Sequence, residues 1–147
     1  MALLKRKTVI GAAIEDTLKS IKQGTTYNYT PAKVTREALP FETINLFPTY
    51  MIIEGPEIFE YHGNRVVNWF TVLIRCVHRD ERGLTRSEKI NKMIKDIRHA
   101  LVQDVERGGH ASNTEPLTVE TDEGWLAPLI SAEITIRVQY LLLEEHR

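Results

Sequence analysis

Apolar residues at Ile10, Ile14, Leu18 and Ile21 recur at steps of four, four and three, with Ala13 beside them and Glu15, Lys19 and Lys22 elsewhere around the wheel. That spacing predicts an amphipathic helix of about four turns, closed by Gly24. A second, clearer stripe runs through Ile90, Ile94, Ile97, Leu101 and Val105, with Met93 alongside. It is preceded by Thr85 and Glu88 in the spacing of a capping box, where the threonine hydroxyl and the glutamate carboxylate satisfy free amides at the helix start. Gly108-Gly109 marks its end. Such stripes bury one side of a helix against a core.

Between and after these helices the period changes from 3.6 to two. YMIIEG reads as a short apolar strand, Gly55-Pro56 as a bend or bulge before EIFEYH, and Gly63-Asn64 as a tight hairpin turn. The return segment RVVNWFTVLIRCVH is β-branched and aromatic on both faces for part of its length, which suits a strand central in a sheet. After the polar loop HASNTEP comes a short strand, LTVET, and then a turn containing Gly124, Trp125 and Pro128. The last strand, ISAEITIRVQYL, alternates Glu133, Thr135, Arg137 and Gln139 with Ile134, Ile136, Val138 and Tyr140, so one of its faces is wet and the other buried. Residues 24–48, with three prolines between Thr25 and Pro48 and many polar residues, read as an extended arm with a short edge strand around Val34, then a loop. The order helix, hairpin, helix, strand, strand predicts an α+β fold: a two-layer sandwich with a mostly antiparallel β-sheet and two helices packed on one face.

Composition narrows the function classes. A chain of 147 residues with 42% hydrophobic content is long enough to bury a sizeable core, and one domain spanning 1–147 is the expectation. Lysine plus arginine number 19 and aspartate plus glutamate 20, a net charge of −1 that exerts no long-range pull on nucleic acid or an anionic membrane. The single cysteine cannot form an internal disulfide, and MALLKRKTVIGAAIEDTLKSI turns charged before an apolar signal core develops, so a reducing cytoplasm is expected. No apolar run approaches the ~18 residues of a membrane span.

The stretch RCVHRDERG poses the chemical question. Cys76, His78 and Asp80 share one side of a strand, because side chains alternate across it. Zinc sites draw on three or four ligands, usually from paired motifs, and His62, His99, His110 and His146 are scattered. The bland reading therefore prevails: Cys76 is a small buried apolar residue and RDERG a charged turn into the second helix, with Gly83 supplying flexibility. The sequence holds no nucleophile elbow, phosphate loop or dinucleotide fingerprint. A magnesium-dependent nuclease built from Glu54, Glu57, Glu60 and Lys89 is a weaker alternative, since acids spaced along a hairpin usually form its solvated face. Lys5-Arg6-Lys7 lacks the interleaved aromatics of a nucleic-acid surface.

Aromatic residues are plentiful outside the regular elements: Tyr27 and Tyr29 in the arm, Phe41 and Phe47 in the proline loop, Trp125 in the last turn. They either cover the ends of the core or bury surface against neighbouring subunits.

The first helix, the arm YNYTPAKVTRE, the strand FPTYMIIEGPE, the strand NWFTVLIRCVH, the helix SEKINKMIKDIRHALVQD and the strand ITIRVQY, in this order and total length, resemble the tail terminator (tail completion) proteins of long-tailed bacteriophages. The resemblance implies a structural protein without catalytic residues, metal or cofactor. It implies a homo-hexameric ring that caps the major tail tube protein, stops tube growth and offers a joining surface to connector or neck proteins. DNA would pass through the lumen without specific binding, no membrane would be involved, and the chain would reside at the head-proximal end of the virion tail after assembly in the host cytoplasm. Another neck component, a head-completion or connector protein, would share the fold and the lack of chemistry. A ring of one chain needs heterologous contacts. The candidates are the arm from Thr25 to Arg36, with Tyr27, Tyr29, Lys33 and Arg36, and the turn from Asp122 to Pro128, with Trp125. The wet face of the last strand, with Glu133 and Arg137, is the candidate lining of a lumen or contact with a neighbouring ring.

Overall fold

The computed structural model describes residues 2–79, 85–103, 113–121 and 128–143. In chain order these form α1 (Ala2–Lys19), β1 (Lys33–Thr35), a single 3-10 turn (Phe41–Thr43), β2 (Thr49–His62), β3 (Arg65–Arg79), α2 (Arg86–Val102), β4 (Asn113–Thr121) and β5 (Leu129–Leu143). The described strands make one five-stranded sheet in the order β1-β2-β3-β5-β4. Only β1 runs parallel to its neighbour; the other pairings are antiparallel. The expected α+β sandwich is borne out.

Strand alternation decides which face is covered. Along β3, Val66, Asn68, Phe70, Val72, Ile74 and Cys76 are buried while Val67, Trp69, Thr71, Leu73 and Arg75 are half-buried. Opposite them on β5 the register sets Val138 against Phe70, Ile136 against Val72 and Ile134 against Ile74. This apolar face receives Ile10, Ile14 and Leu18 of α1 and Ile90, Met93, Ile97 and Leu101 of α2 in one core cluster. Helix α1 lies over β1 and β2, and α2 over β5 and β4. Each fully buried large aliphatic side chain stabilises the fold by about 1.5–3 kcal/mol relative to exposure.

Local chemistry sets the joints. Gly63 has φ of 66° in the β2–β3 turn, a conformation that suits a two-residue hairpin and disfavours side chains. The ladder between β2 and β3 shifts register between Glu54 and Glu57, so Gly55-Pro56 forms the expected bulge inside one long strand. Helix α2 starts at Thr85, whose side chain accepts the Glu88 amide.

Three boundaries differ from the sequence expectation. Helix α1 begins at Ala2, with no proline or glycine before Gly11 to stop it. It ends at Lys19 rather than Gly24, because the chain turns back: the Gln23 amide donates to the Thr30 hydroxyl at 2.7 Å and the Gly24 amide to the Tyr27 carbonyl at 3.0 Å. Ile21 is buried just beyond the helix. Strand β4 begins at Asn113, so part of HASNTEP is strand and not loop. Pro116 is tolerated because β4 is an edge strand with a register shift between Pro116 and Thr118. Val105, Gly108 and Gly109 lie outside the described residues.

Ile97, wholly buried on α2, gives a direct test of the covered face. Ile97→Asp places an unpaired carboxylate against the sheet and is expected to cost roughly 4 kcal/mol or more. That corresponds to a fall of more than about 10 °C in Tm. A thermal melt within a few degrees of the parent would mean that another face of α2 is buried.

Candidate interaction surfaces

The RCVHRDERG stretch resolves into packing. Cys76 is buried, its Sγ donates to the Ala132 carbonyl at 3.5 Å, and burial pushes its thiol pKa up to about 12. His78 is also buried, with its ring edge-on to Tyr29 at 5.0 Å and its Nδ1 accepting the Arg79 amide at 2.7 Å. Asp80 lies outside the described residues. The acidic set imagined for a nuclease is pulled apart. Glu54 pairs with Arg36 at 3.0 Å, Glu60 lies 3.6 Å from His62, and Glu57 accepts Asn68 Nδ2 at 3.3 Å. Lys89 is buried at the other end of β3, its Nζ donating to the Arg79 carbonyl at 2.8 Å. Glu57 pairs with Phe70, nine strand positions from Arg79, a distance of about 30 Å. Among the described residues no group of three or more His, Cys, Asp or Glu side chains is placed to hold a metal.

The arm is tied to α2 by one buried carboxylate. Asp96 accepts the Asn28 amide at 2.8 Å and the Asn28 side chain at 3.0 Å on Oδ1, and the Tyr29 amide at 2.9 Å on Oδ2. Tyr27 stacks edge-on against His99 with centroids 5.4 Å apart. Tyr27 and Tyr29 are therefore half-buried against the core, and Phe41 and Phe47 are half-buried as well. Arg36 reaches from the arm between two layers: its guanidinium passes so close to Gly11 that a Cβ there would lie 2.5 Å from Nη2, and it pairs with Glu54 of β2. Lys33 on β1 is exposed and makes no ion pair among the described residues.

Glu133 and Arg137 occupy the other face of the sheet. Glu133 accepts Arg75 Nε at 2.8 Å, and the Arg75 guanidinium lies 5.6 Å from the centroid of Phe41. Arg137 lies 4.2 Å over the Trp69 ring and pairs with Glu115 at 2.7 Å. The structure thus divides the sequence candidates. Tyr27 and Tyr29 pack against α2 and the end of β3, Lys33 is exposed on β1, and Arg36 reaches α1 and β2; Glu133 and Arg137 sit in ion pairs on the other face of the sheet; Trp125 lies outside the described residues.

Two further surfaces had weak signals in the sequence. Past the bulge, Ile58 is 61% exposed and Tyr61 59%, with Phe59 at 39%. There the outer edge of β2 has no strand partner among the described residues. On α2, Asn91, Ile94, Lys95, Arg98, His99 and Val102 line a groove of about 410 Å³, with Val102 53% exposed.

Two measurements follow. Asp96→Ala strips three donors of their acceptor, and hydrogen bonds to a charged group contribute about 1.5–3 kcal/mol each at most. The variant is expected to lose stability and to be cut by protease first between residues 22 and 36, whereas unchanged proteolysis would show that the arm is held elsewhere. Cys76 supplies a pH-dependent test. Its folded pKa, about 12 against 9.0 for the free thiol, means that the native chain keeps a proton the unfolded chain releases. Stability from this source is full below pH 9 and falls as pH rises toward 12. Thiol alkylation at pH 8 should be negligible in the native protein and rapid in denaturant; rapid native labelling would contradict the burial.

No curated relative matches the chain at a significant level. A family comparison does find a match: the sequence model of the Bacteriophage Tail Tube Terminator Protein family aligns with residues 4–146, which takes in every described element except the first two residues of α1. The resemblance in element order, the α+β sandwich and this match converge on one conclusion, that the chain belongs to the bacteriophage tail tube terminator family.

Proposed function

We propose that the chain forms a homo-hexameric ring at the head-proximal end of a phage tail, caps the last ring of the major tail tube protein, stops its elongation, and offers the surface on which a filled head docks through connector or neck proteins. The observation that carries this reading is the family match across residues 4–146. The role is geometric and not enzymatic: capping requires a complementary surface repeated with the symmetry of the tube end, and no bond is made or broken. A net charge of −1 suits a lumen through which DNA slides without being held. The exposed Lys33, the arm residues Tyr27, Tyr29 and Arg36, and the turn bearing Trp125 are retained as candidate contacts. So is the Glu133 and Arg137 face, as lumen lining or ring-to-ring contact.

Ring contacts between free subunits can be weak, since a tube end presenting equivalent sites raises the effective local concentration. Gel filtration of the free chain is therefore a poor test. Deleting the gene is expected to leave filled, unjoined heads together with tube polymers of irregular and often excessive length. Tails of normal length joined to heads in the deletion would exclude the terminator role, and a virion map with this chain in other than six-fold symmetry would exclude the ring.

A further inference from the structure

The chain has six prolines, and the two that stand inside strands are Pro56 in β2 and Pro116 in β4. Both lie on an outer edge of the sheet. β4 is its last strand, and β2 has no outer strand partner past Met51 among the described residues, since β1 pairs only with Thr49, Tyr50 and Met51. Each proline is exposed and sits at a break in register, between Glu54 and Glu57 in β2 and between Pro116 and Thr118 in β4. In the first break Gly55 and Pro56 stand opposite Thr71 alone, and a Cβ at Gly55 would lie 3.1 Å from the Thr71 carbonyl oxygen. The third piece of outer edge, β1, is three residues long and bears the exposed Lys33. The interior strands β3 and β5 show neither device: they hold no proline, and their ladder runs without a register shift.

We propose that these features block strand addition, so that free copies of this chain do not join edge to edge. A bare edge offers its unpaired amides and carbonyls to any strand that can lie beside it. A bulge sets two residues where a straight incoming strand has one and twists the edge away, and a proline takes an amide donor out of the row. The strand kept off is that of a second copy. Past its bulge β2 reads EIFEYH, β-branched and aromatic, with Ile58 and Tyr61 more than half exposed, and β4 ends with Val119 43% exposed. Such residues favour pairing, and every copy brings the same two edges. β2 of one copy beside β4 of the next is a heterologous contact, which repeats without end unless its rotation closes. The block therefore keeps subunits from being consumed in polymers away from their site of assembly. It concerns the free chain and stands apart from the ring reading.

Two repairs test it. Deleting Pro56 leaves Gly55 opposite Thr71 and keeps the β2–β3 register on both sides; deleting Leu117 together with Pro116→Thr does the same for β4 against β5. Sedimentation velocity over a concentration series reads association, and circular dichroism with a thermal melt checks that each variant keeps the fold. One repaired edge pairs only with its own kind across a two-fold axis, so each single repair is expected to give dimers. Both repairs together are expected to give open-ended polymers, at concentrations at least roughly tenfold below any at which the parent forms them. Ile58→Lys added to the Pro56 deletion is expected to return it to the parent's behaviour, because a lysine on an edge opposes pairing.

A folded double repair that associates no more than the parent would overturn the block, and so would dimers of the Pro56 deletion that persist after Ile58→Lys. Open-ended polymers of the parent itself would overturn it as well. Should a deletion unfold the chain, Pro56→Thr and Pro116→Thr restore the missing amides alone. That pair is expected to associate in the same way at higher concentration than the full repairs, and no shift from the parent would sink the proposal.

Discussion

The ladder between β3 and β5 is the constraint on which the rest of the fold depends. Fifteen residues pair from Arg65 against Leu143 to Arg79 against Leu129 without a break in register. A one-residue slip would carry Phe70, Val72 and Ile74 to the uncovered face and bring Trp69 and Arg75 under the helices. The register therefore fixes where α1 and α2 must lie. It also carries the β2–β3 hairpin to its turn with Val66 still buried in the core and Ile58 and Tyr61 more than half exposed.

The two faces of the sheet solve opposite problems. The covered face excludes water with aliphatic packing, and within it the Asn68 side chain donates to the Tyr140 hydroxyl at 2.7 Å. The uncovered face keeps half-buried Ile53, Leu73 and Trp69, screened by guanidinium groups lying over aromatic rings and held by carboxylates. Exposed ion pairs contribute about 0–1 kcal/mol each. Their effect here lies more in geometry than in energy, because a planar guanidinium fixed between Trp69 and Glu115 covers apolar surface while presenting charge to water.

Much of this was legible in the residues, for identifiable reasons. Helix α2 declared itself because burial governs Ile90, Ile97 and Leu101 at helical spacing, and the Thr85 cap is local chemistry. Gly63-Asn64 and Gly55-Pro56 marked turn and bulge because backbone conformation is decided within a few residues. What could not be read were the bonds closed over long separations. Asp96 sits on the buried side of a helix because Asn28, 68 residues away in sequence, brings amides to it; nothing within α2 announces that partner. The same arm half-buries Tyr27 and Tyr29, which the sequence left open between core cover and subunit contact. HASNTEP read as a polar loop, whereas the ladder to β5 makes its last four residues part of an edge strand among the described ones. The family emerged from the order of elements, whereas the hairpin and groove surfaces depend on which elements fail to cover one another.

Strand order has a further consequence for biosynthesis. β5 follows the other strands along the chain yet lies between β3 and β4. During translation the β2–β3 hairpin and the helices are complete while the second edge of β3 is still bare, with Phe70, Val72 and Ile74 only partly sheltered. The pairing of β3 with β5 spans the whole of α2 and β4, and such distant contacts form slowly. A chain interrupted before residue 129 thus retains an exposed hairpin but no finished sheet. Completion of the sheet and burial of the second edge of β3 become a single step, taken only when the last strand is in place.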